Sequence, residues 1–341
     1  MAATTSRAQL SAMARTGDPV VVGHGPNFWL FTNKGVFDMT HPPTPSSPPV
    51  HPRLTLQTTR SPVTIAPTKT ALVIIDMQNF FLSAAMGRSR GEGHDAEDTL
   101  LSKGIPAARK TGIQVVWLTW GITDAQLQDL PPTIWRIFGW ESQDEPEYKV
   151  EDDDAPPGTT ITVPEKKDDG GIGAPLGEVR LDNGTVVDAG RMLMLDQWNT
   201  ALHPPMEQSF QQGLREADPP DVRFHKQRLS GLWGDSQAPL ESFLRDRGIR
   251  TLLFAGVNTD QCVLATVQDA SNKGFDTVLL RDGCGTTSPE FARQMVDYNC
   301  QKSWGFISTC DALADGVQKM MMHKHEAGKE VQGQSFAPAE L

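Results

Sequence analysis

What this 341-residue chain lacks does much of the sorting. No window approaches the ~18 to 20 apolar residues of a membrane span. The opening MAATTSRAQLSAMARTGDP has no apolar stretch of the secretory kind. A cytoplasmic protein with no membrane partner is the expectation. Positive charge is short as well: 31 Lys and Arg stand against 42 Asp and Glu, a formal net charge of −11 with His neutral. Binding of nucleic acid draws on clustered cations that displace counterions, and the most basic stretch, Met320 to Lys329, is diluted by His and Glu. No nucleic-acid partner is expected, and any nucleotide would be substrate-sized. CxxC pairs are missing too. Cys262, Cys284, Cys300 and Cys310 all fall in the last quarter, and in a cytosolic setting they read as free thiols. There is no internal repeat.

At ~150 residues per domain the length allows two domains. With 30 Gly and 25 Pro, however, much of the excess reads as loop, and one core is expected. Residues 1–67 read as an N-terminal extended arm: PVVVG and NFWLF are short extended runs, and His41 to Pro52 holds six prolines in twelve residues. An arm with Phe28, Trp29, Leu30 and Phe31 in a row needs a surface to cover it. From Lys69 the texture changes. TALVIIDMQ and IQVVWLTW read as buried strands, with Ala96 to Gly112 between them as a helix that Pro106 should interrupt. After a long interval the alternation resumes: helix 236–248, strand 250–257, helix 259–274, strand 276–283 and helix 288–304. Strands alternating with helices predict an α/β fold with a mainly parallel sheet covered on both faces. Residues 121–220 read as a turn-rich insertion with one hairpin, Glu178 to Gly190, turning at Asn183 and Gly184. Asp152, Asp153 and Asp154 read as a solvated loop, because consecutive carboxylates point apart and lack the spacing of a calcium loop. Residues 316–341 read as a polar C-terminal tail, frayed over its last twenty residues.

The chemistry concentrates in LLFAGVNTDQCVLATVQDA, a strand, a tight turn and a helix with Cys262 in its first turn. Thr259 is a candidate N-cap. Free amides and the helix dipole there favour a thiolate, and the same amides can hold an oxyanion. The alternative is a cysteine that merely fills an amphipathic helix. A nucleophilic thiol needs a base. His24, His41, His51, His323 and His325 lie in arms or tails, and His94, His203 and His225 have no context that marks them. Asp76 is the better partner, since parallel strands bring their carboxyl ends to one edge. Lys226, in RFHKQRLSGLW, is a third candidate, against the alternative of a solvated lysine.

Together, DMQN at 76–79, the lysine of HKQRLSGLW and GVNTDQCV at 256–263 resemble the isochorismatase-like cysteine hydrolases, a family that includes nicotinamidases and carbamoylsarcosine, ureidoacrylate and biuret hydrolases. The resemblance runs over about 68–120 and 222–315. It implies a three-layer α-β-α, Rossmann-like hydrolase domain at 68–315. It also implies Asp76 as general base and acid, Lys226 as electrostatic partner, Cys262 as nucleophile, and a cis peptide between Val257 and Asn258 that lets the amides of Asn258 and Cys262 form the oxyanion hole. Nicotinamidases hold a metal with an Asp-x-His pair and a further His. Here that place reads TWGITDAQ, so no metal and no other cofactor is expected. Isochorismatases proper lack the cysteine. The K-x-R-x-S-G segment is similar to ureidoacrylate amidohydrolases, although Leu229 stands where they have tyrosine. Phe81, Trp120, Leu229 and Trp233 are candidate pocket walls.

The reading is a metal-independent hydrolase of a C–N bond in a small amide, ureide or carbamoyl compound, and the resemblance implies a dimer or tetramer. The alternatives are a silent scaffold of the same fold and a vinyl-ether hydrolase.

Overall fold

The computed structural model describes residues 19–140, 148–151, 160–163, 170–234 and 238–333. The first five strands are β1 (Val20–His24), β2 (Asn27–Phe31), β3 (Phe37–Asp38), β4 (Leu54–Leu56) and β5 (Val63–Ile65). They form one small mixed sheet in the order β1-β2-β3-β5-β4. The expected extended arm is therefore a folded layer. Leu56, Val63 and Ile65 are fully buried in the main core; of the residues that called for a cover, Phe28 and Leu30 are buried, Trp29 is partly buried against that core and Phe31 is half-buried.

The core sheet takes β6 (Thr70–Ile75) and β7 (Gln114–Trp120) from the first part of the chain. The hairpins β8 (Tyr148–Glu151) with β9 (Thr160–Val163), and β10 (Glu178–Arg180) with β11 (Val186–Asp188), lie apart from it. It is completed by β12 (Val222–Lys226), β13 (Thr251–Val257), β14 (Asp276–Gly285) and β15 (Phe306–Ser308). The order is β12-β7-β6-β13-β14-β15, and every neighbouring pair is parallel. β6, β7 and β13 are buried along their whole length, as strands covered on both faces must be.

Period-two alternation divides these side chains between two cores. Ala71, Val73 and Ile75 join one, while Leu72 and Ile74 join the other. The helices, in chain order, are α1 (Asn79–Leu82), α2 (Glu92–Thr99), α3 (Ile105–Thr111), α4 (Asp124–Gln128), α5 (Pro132–Trp135), α6 (Pro204–Glu216), α7 (Pro239–Asp246), α8 (Leu264–Asn272), α9 (Glu290–Asn299) and α10 (Cys310–Gly333). Leu240 and Leu244 of α7, Leu264 and Val267 of α8 and Val296 of α9 pack on one face. Ile105 of α3, Met206 and Phe210 of α6, and Leu313 and Val317 of α10 pack on the other, with the N-terminal sheet. This is a three-layer α-β-α architecture.

Three local expectations change. Pro106 does not end a helix: a π turn at Leu100–Gly104 absorbs the register, and the proline sits in the first turn of α3, where its missing N–H costs nothing. The insertion is not all loop, because Ile122, Leu127, Ile134, Ile172 and Met194 belong to the first core. The C-terminal region is not a frayed tail from the outset, since α10 continues to Gly333. The Asn183-Gly184 turn is present, with Gly184 at φ 83° and Leu181 N–H bonded to Thr185 O, so the loop is one residue longer than a two-residue turn. Asp152, Asp153 and Asp154 lie outside the described residues.

Candidate active site

Parallel strands deliver their carboxyl ends to one edge, and here four adjacent strands do so together. Asp76 follows β6 directly, Trp120 ends β7, Lys226 ends β12 and Val257 ends β13. Lys226 is in register with Trp120, and Ile75 with both Leu118 and Gly256. Asp76 leaves the strand in the left-handed region at φ 55°, its N–H still bonded to Leu118 O at 2.9 Å. That turn takes the carboxylate off the sheet plane. Gly256, at φ 114°, lies so close to β6 that a Cβ there would stand 2.1 Å from Ile75 O. The peptide from Val257 to Asn258 is cis, and a π turn at Thr259–Val263 carries Cys262 into α8.

The Lys226 ammonium joins the other two candidates. Its Nζ lies 2.9 Å from Asp76 Oδ2 and donates to Cys262 Sγ at 3.3 Å and to Arg228 O at 3.2 Å. It also sits 3.9 Å from the centre of the Trp120 ring, a cation–π contact in a dry site. Asp76 is fully buried, and Lys226 and Cys262 are each 4% exposed. Burial raises the Asp76 pKa above the ordinary carboxylate range, with the Lys226 charge, the Cys262 thiol and the Trp120 amide offsetting part of the rise. Burial also pushes the Cys262 thiol up to about 12; the Lys226 charge opposes this and the Asp76 charge adds to it. This differs from the thiolate that a helix start favours. Desolvation is the largest influence on this thiol and works against its ionisation.

The surroundings hold the trio in place. Gln78 donates from Nε2 to Trp120 O and Thr200 O at 2.8 and 2.7 Å, and its Oε1 accepts from Trp120 N at 2.9 Å. One side chain thus ties the ends of β6 and β7 to the insertion. Thr266 Oγ1 donates to Cys262 O at 2.7 Å and accepts from Gly231 N at 3.2 Å. The Phe138 ring, from the insertion, stands edge-on to Trp120 at 5.2 Å and to Phe80 at 6.3 Å. Sequence reasoning missed Gln78, Thr266 and Phe138. Only Gln78 had a signal, its place inside DMQN.

Among the candidate walls, Trp120 is on the trio, while Phe81 and Leu229 are partly buried against the core that contains Cys262. Trp233 is not brought there: it is 52% exposed and stacks with Arg228 at 4.5 Å. The histidines without context have structural partners. His203 pairs with Glu97 at 2.7 Å, and His225 bonds Thr119 Oγ1 at 2.9 Å. Among the described residues, no group of three or more His, Cys, Asp or Glu side chains is placed to share a metal ion.

Residues 186–301, which include Lys226 and Cys262, match the family model of the Isochorismatase domain. The chain is 25% identical over 265 residues to ureidoacrylate amidohydrolase RutB of Agrobacterium fabrum, covering 75% of this chain and 93% of that protein. It is 26% identical to RutB of Rhizobium rhizogenes, over 78% and 90% of the two chains. A solved cysteine hydrolase from Pseudomonas syringae aligns at a TM-score of 0.49 and 15% identity, over 81% of this chain and 99% of its own. The chain therefore carries a match to the Isochorismatase domain that spans two of the three clustered side chains, and it is similar to ureidoacrylate amidohydrolases over most of their length.

Proposed function

We propose that this protein hydrolyses a C–N bond of a small amide, ureide or carbamoyl compound through an acyl-enzyme on Cys262, without a metal or other cofactor. The observation that carries the reading is the single ammonium of Lys226, 2.9 Å from the Asp76 carboxylate and 3.3 Å from the Cys262 sulfur. One buried cation balances one anion. In the resting site the anion is Asp76, and Cys262 keeps its proton. As the sulfur bonds to the substrate carbonyl carbon, that proton moves to Asp76, and the amides of Asn258 and Cys262 are the donors for the oxyanion. Asp76 then passes the proton to the departing nitrogen as the C–N bond breaks. Water next attacks the thioester with Asp76 as base, and the thiol is restored with release of the acid.

The relatives named ureidoacrylate amidohydrolase put ureidoacrylate first on a panel that also holds biuret, carbamoyl amines, maleamate and nicotinamide. Ammonia release from one member, with a mass adduct on Cys262 after an activated amide, is the expected result. Full turnover of a panel member by Cys262→Ala overturns the mechanism, and cleavage of an added vinyl ether that survives Cys262→Ala but not Asp76→Ala indicates acid catalysis instead. One observation favours the scaffold reading: all three side chains are at most 4% exposed. Turnover of any panel member removes it.

A further inference from the structure

The same sheet carries a second site at its opposite edge. A cavity of about 630 Å³ lies between the N-terminal sheet and the starts of β14 and β15. This is within the size range of small-molecule sites. Asp276, the first residue of β14, lines it, whereas Asp76 and Cys262 follow the carboxyl ends of β6 and β13. The length of a six- or seven-residue strand puts ~20 Å between the two.

Its apolar wall is a cluster of rings drawn from both layers. Trp29 and Phe37 of the N-terminal sheet meet Phe306 of β15 at 5.5 and 5.6 Å. The polar end is built around Asp276, the only acidic residue among those lining the cavity. Its carboxylate is already supplied with donors: Trp29 Nε1 at 2.7 Å, His41 Nε2 at 2.5 Å and Thr251 Oγ1 at 3.3 Å. Two further lining side chains, His41 and Arg250, each have a buried nitrogen without a partner. His41 also lines the cavity, and its side chain is 9% exposed with Nδ1 buried and without a partner. With Nε2 engaged by the Asp276 carboxylate, Nδ1 is left facing the cavity. Arg250, another lining residue, has Nε buried without a partner, while Nη2 holds Pro26 O and Asn27 Oδ1. Arg60 and Lys302 add two cations at the exposed rim. Buried donors without acceptors are costly, and an anion removes that cost.

We propose that this cavity binds a small amphipathic carboxylate, its apolar body on the Trp29, Phe37 and Phe306 rings and its anion toward Arg250 and the rim cations Arg60 and Lys302, at a site separate from Cys262. Because the walls come from both layers, the ligand also clamps the N-terminal sheet to the core. Isothermal titration of the full chain with 3-phenylpropanoate, and in parallel with 3-phenylpropylammonium, tests it. One equivalent of the carboxylate binds, and the ammonium binds roughly tenfold or more weakly, the order expected for inverting one charge in a partly buried site. Cys262→Ala keeps that affinity. Ser303→Trp, which fills the cavity from its exposed rim, and Arg60→Glu each lower it, with circular dichroism unchanged. No heat from the carboxylate, equal affinity for the two ions, unchanged affinity in well-folded Ser303→Trp, or loss of binding in Cys262→Ala overturns the proposal.

Discussion

At Lys226 a single ammonium faces two acids, and the balance among the three sets the pH behaviour expected of the site. Burial lifts both Asp76 and Cys262 above their ordinary values. Catalysis in the proposed cycle needs Asp76 ionised and the thiol protonated, so kcat/KM should rise with pH through a value above the ordinary ~3.9 of an aspartate. Because burial holds the Cys262 thiol up to about 12, its ionisation should cause no fall across the range in which the protein stays folded. A pH profile of ammonia release measures this, and a fall beginning near pH 8 contradicts it. Lys226→Met leaves a buried carboxylate without its counter-charge and should lower kcat by about 10²- to 10³-fold, the scale of one lost electrostatic partner. The three catalytic candidates were legible in the sequence because each lies in a short motif. Trp120 was legible only as a wall. Its contact with Lys226 arises because β7 and β12 pair with those two residues in register.

Elements place these side chains, and two substitutions separate placement from chemistry. Gln78→Leu removes three hydrogen bonds and strands the amide and carbonyl of Trp120 and the carbonyl of Thr200. A cost of about 2–4 kcal/mol follows from leaving buried backbone groups unpaired. Thermal unfolding should show it as a lower Tm, with kcat falling because the ends of β6 and β7 part. Gly256→Ala sets a methyl against Ile75 O in a backbone region that L-residues avoid, and should leave little soluble protein. Strands with uniform apolar character, β6, β7, β13 and β14, were readable from the sequence. β12 was not, because Val222–Lys226 reads VRFHK and an edge strand need not be apolar throughout. β15 is only three residues long, too short for any periodicity. The π turns before α3 and α8 also escaped, since they register a strain between packing and helix geometry that no residue type announces.

For the whole molecule, burial of cysteine has a consequence for stability. The thiols of Cys262 and Cys300 are pushed up to about 12, and that of Cys310 is also raised, all chiefly by burial. A group whose folded pKa is raised releases its proton first in the unfolded chain, so stability falls as pH rises above the unfolded thiol value. Each such group then contributes a slope of about 1.4 kcal/mol per pH unit above ~8.5. Urea titrations at pH 7, 9 and 10 should show that decline, while Ellman's reagent at pH 7 should find these thiols slow to react before unfolding. Deleting residues 1–66 bares the second core where Leu56, Val63 and Ile65 now lie at 0% exposure, so the truncated chain should aggregate on expression. By itself the sequence determined an α/β fold with parallel strands, and it singled out Asp76, Lys226 and Cys262 as the candidate catalytic residues. Both conclusions rest on local pattern: runs of apolar residues and short motifs at strand ends. Tertiary structure alone decided that the aromatic N-terminal segment is a layer of that core, that the insertion helps to bury it, and that burial raises the Cys262 thiol. These depend on which surfaces meet far along the chain, and no local pattern carries that information.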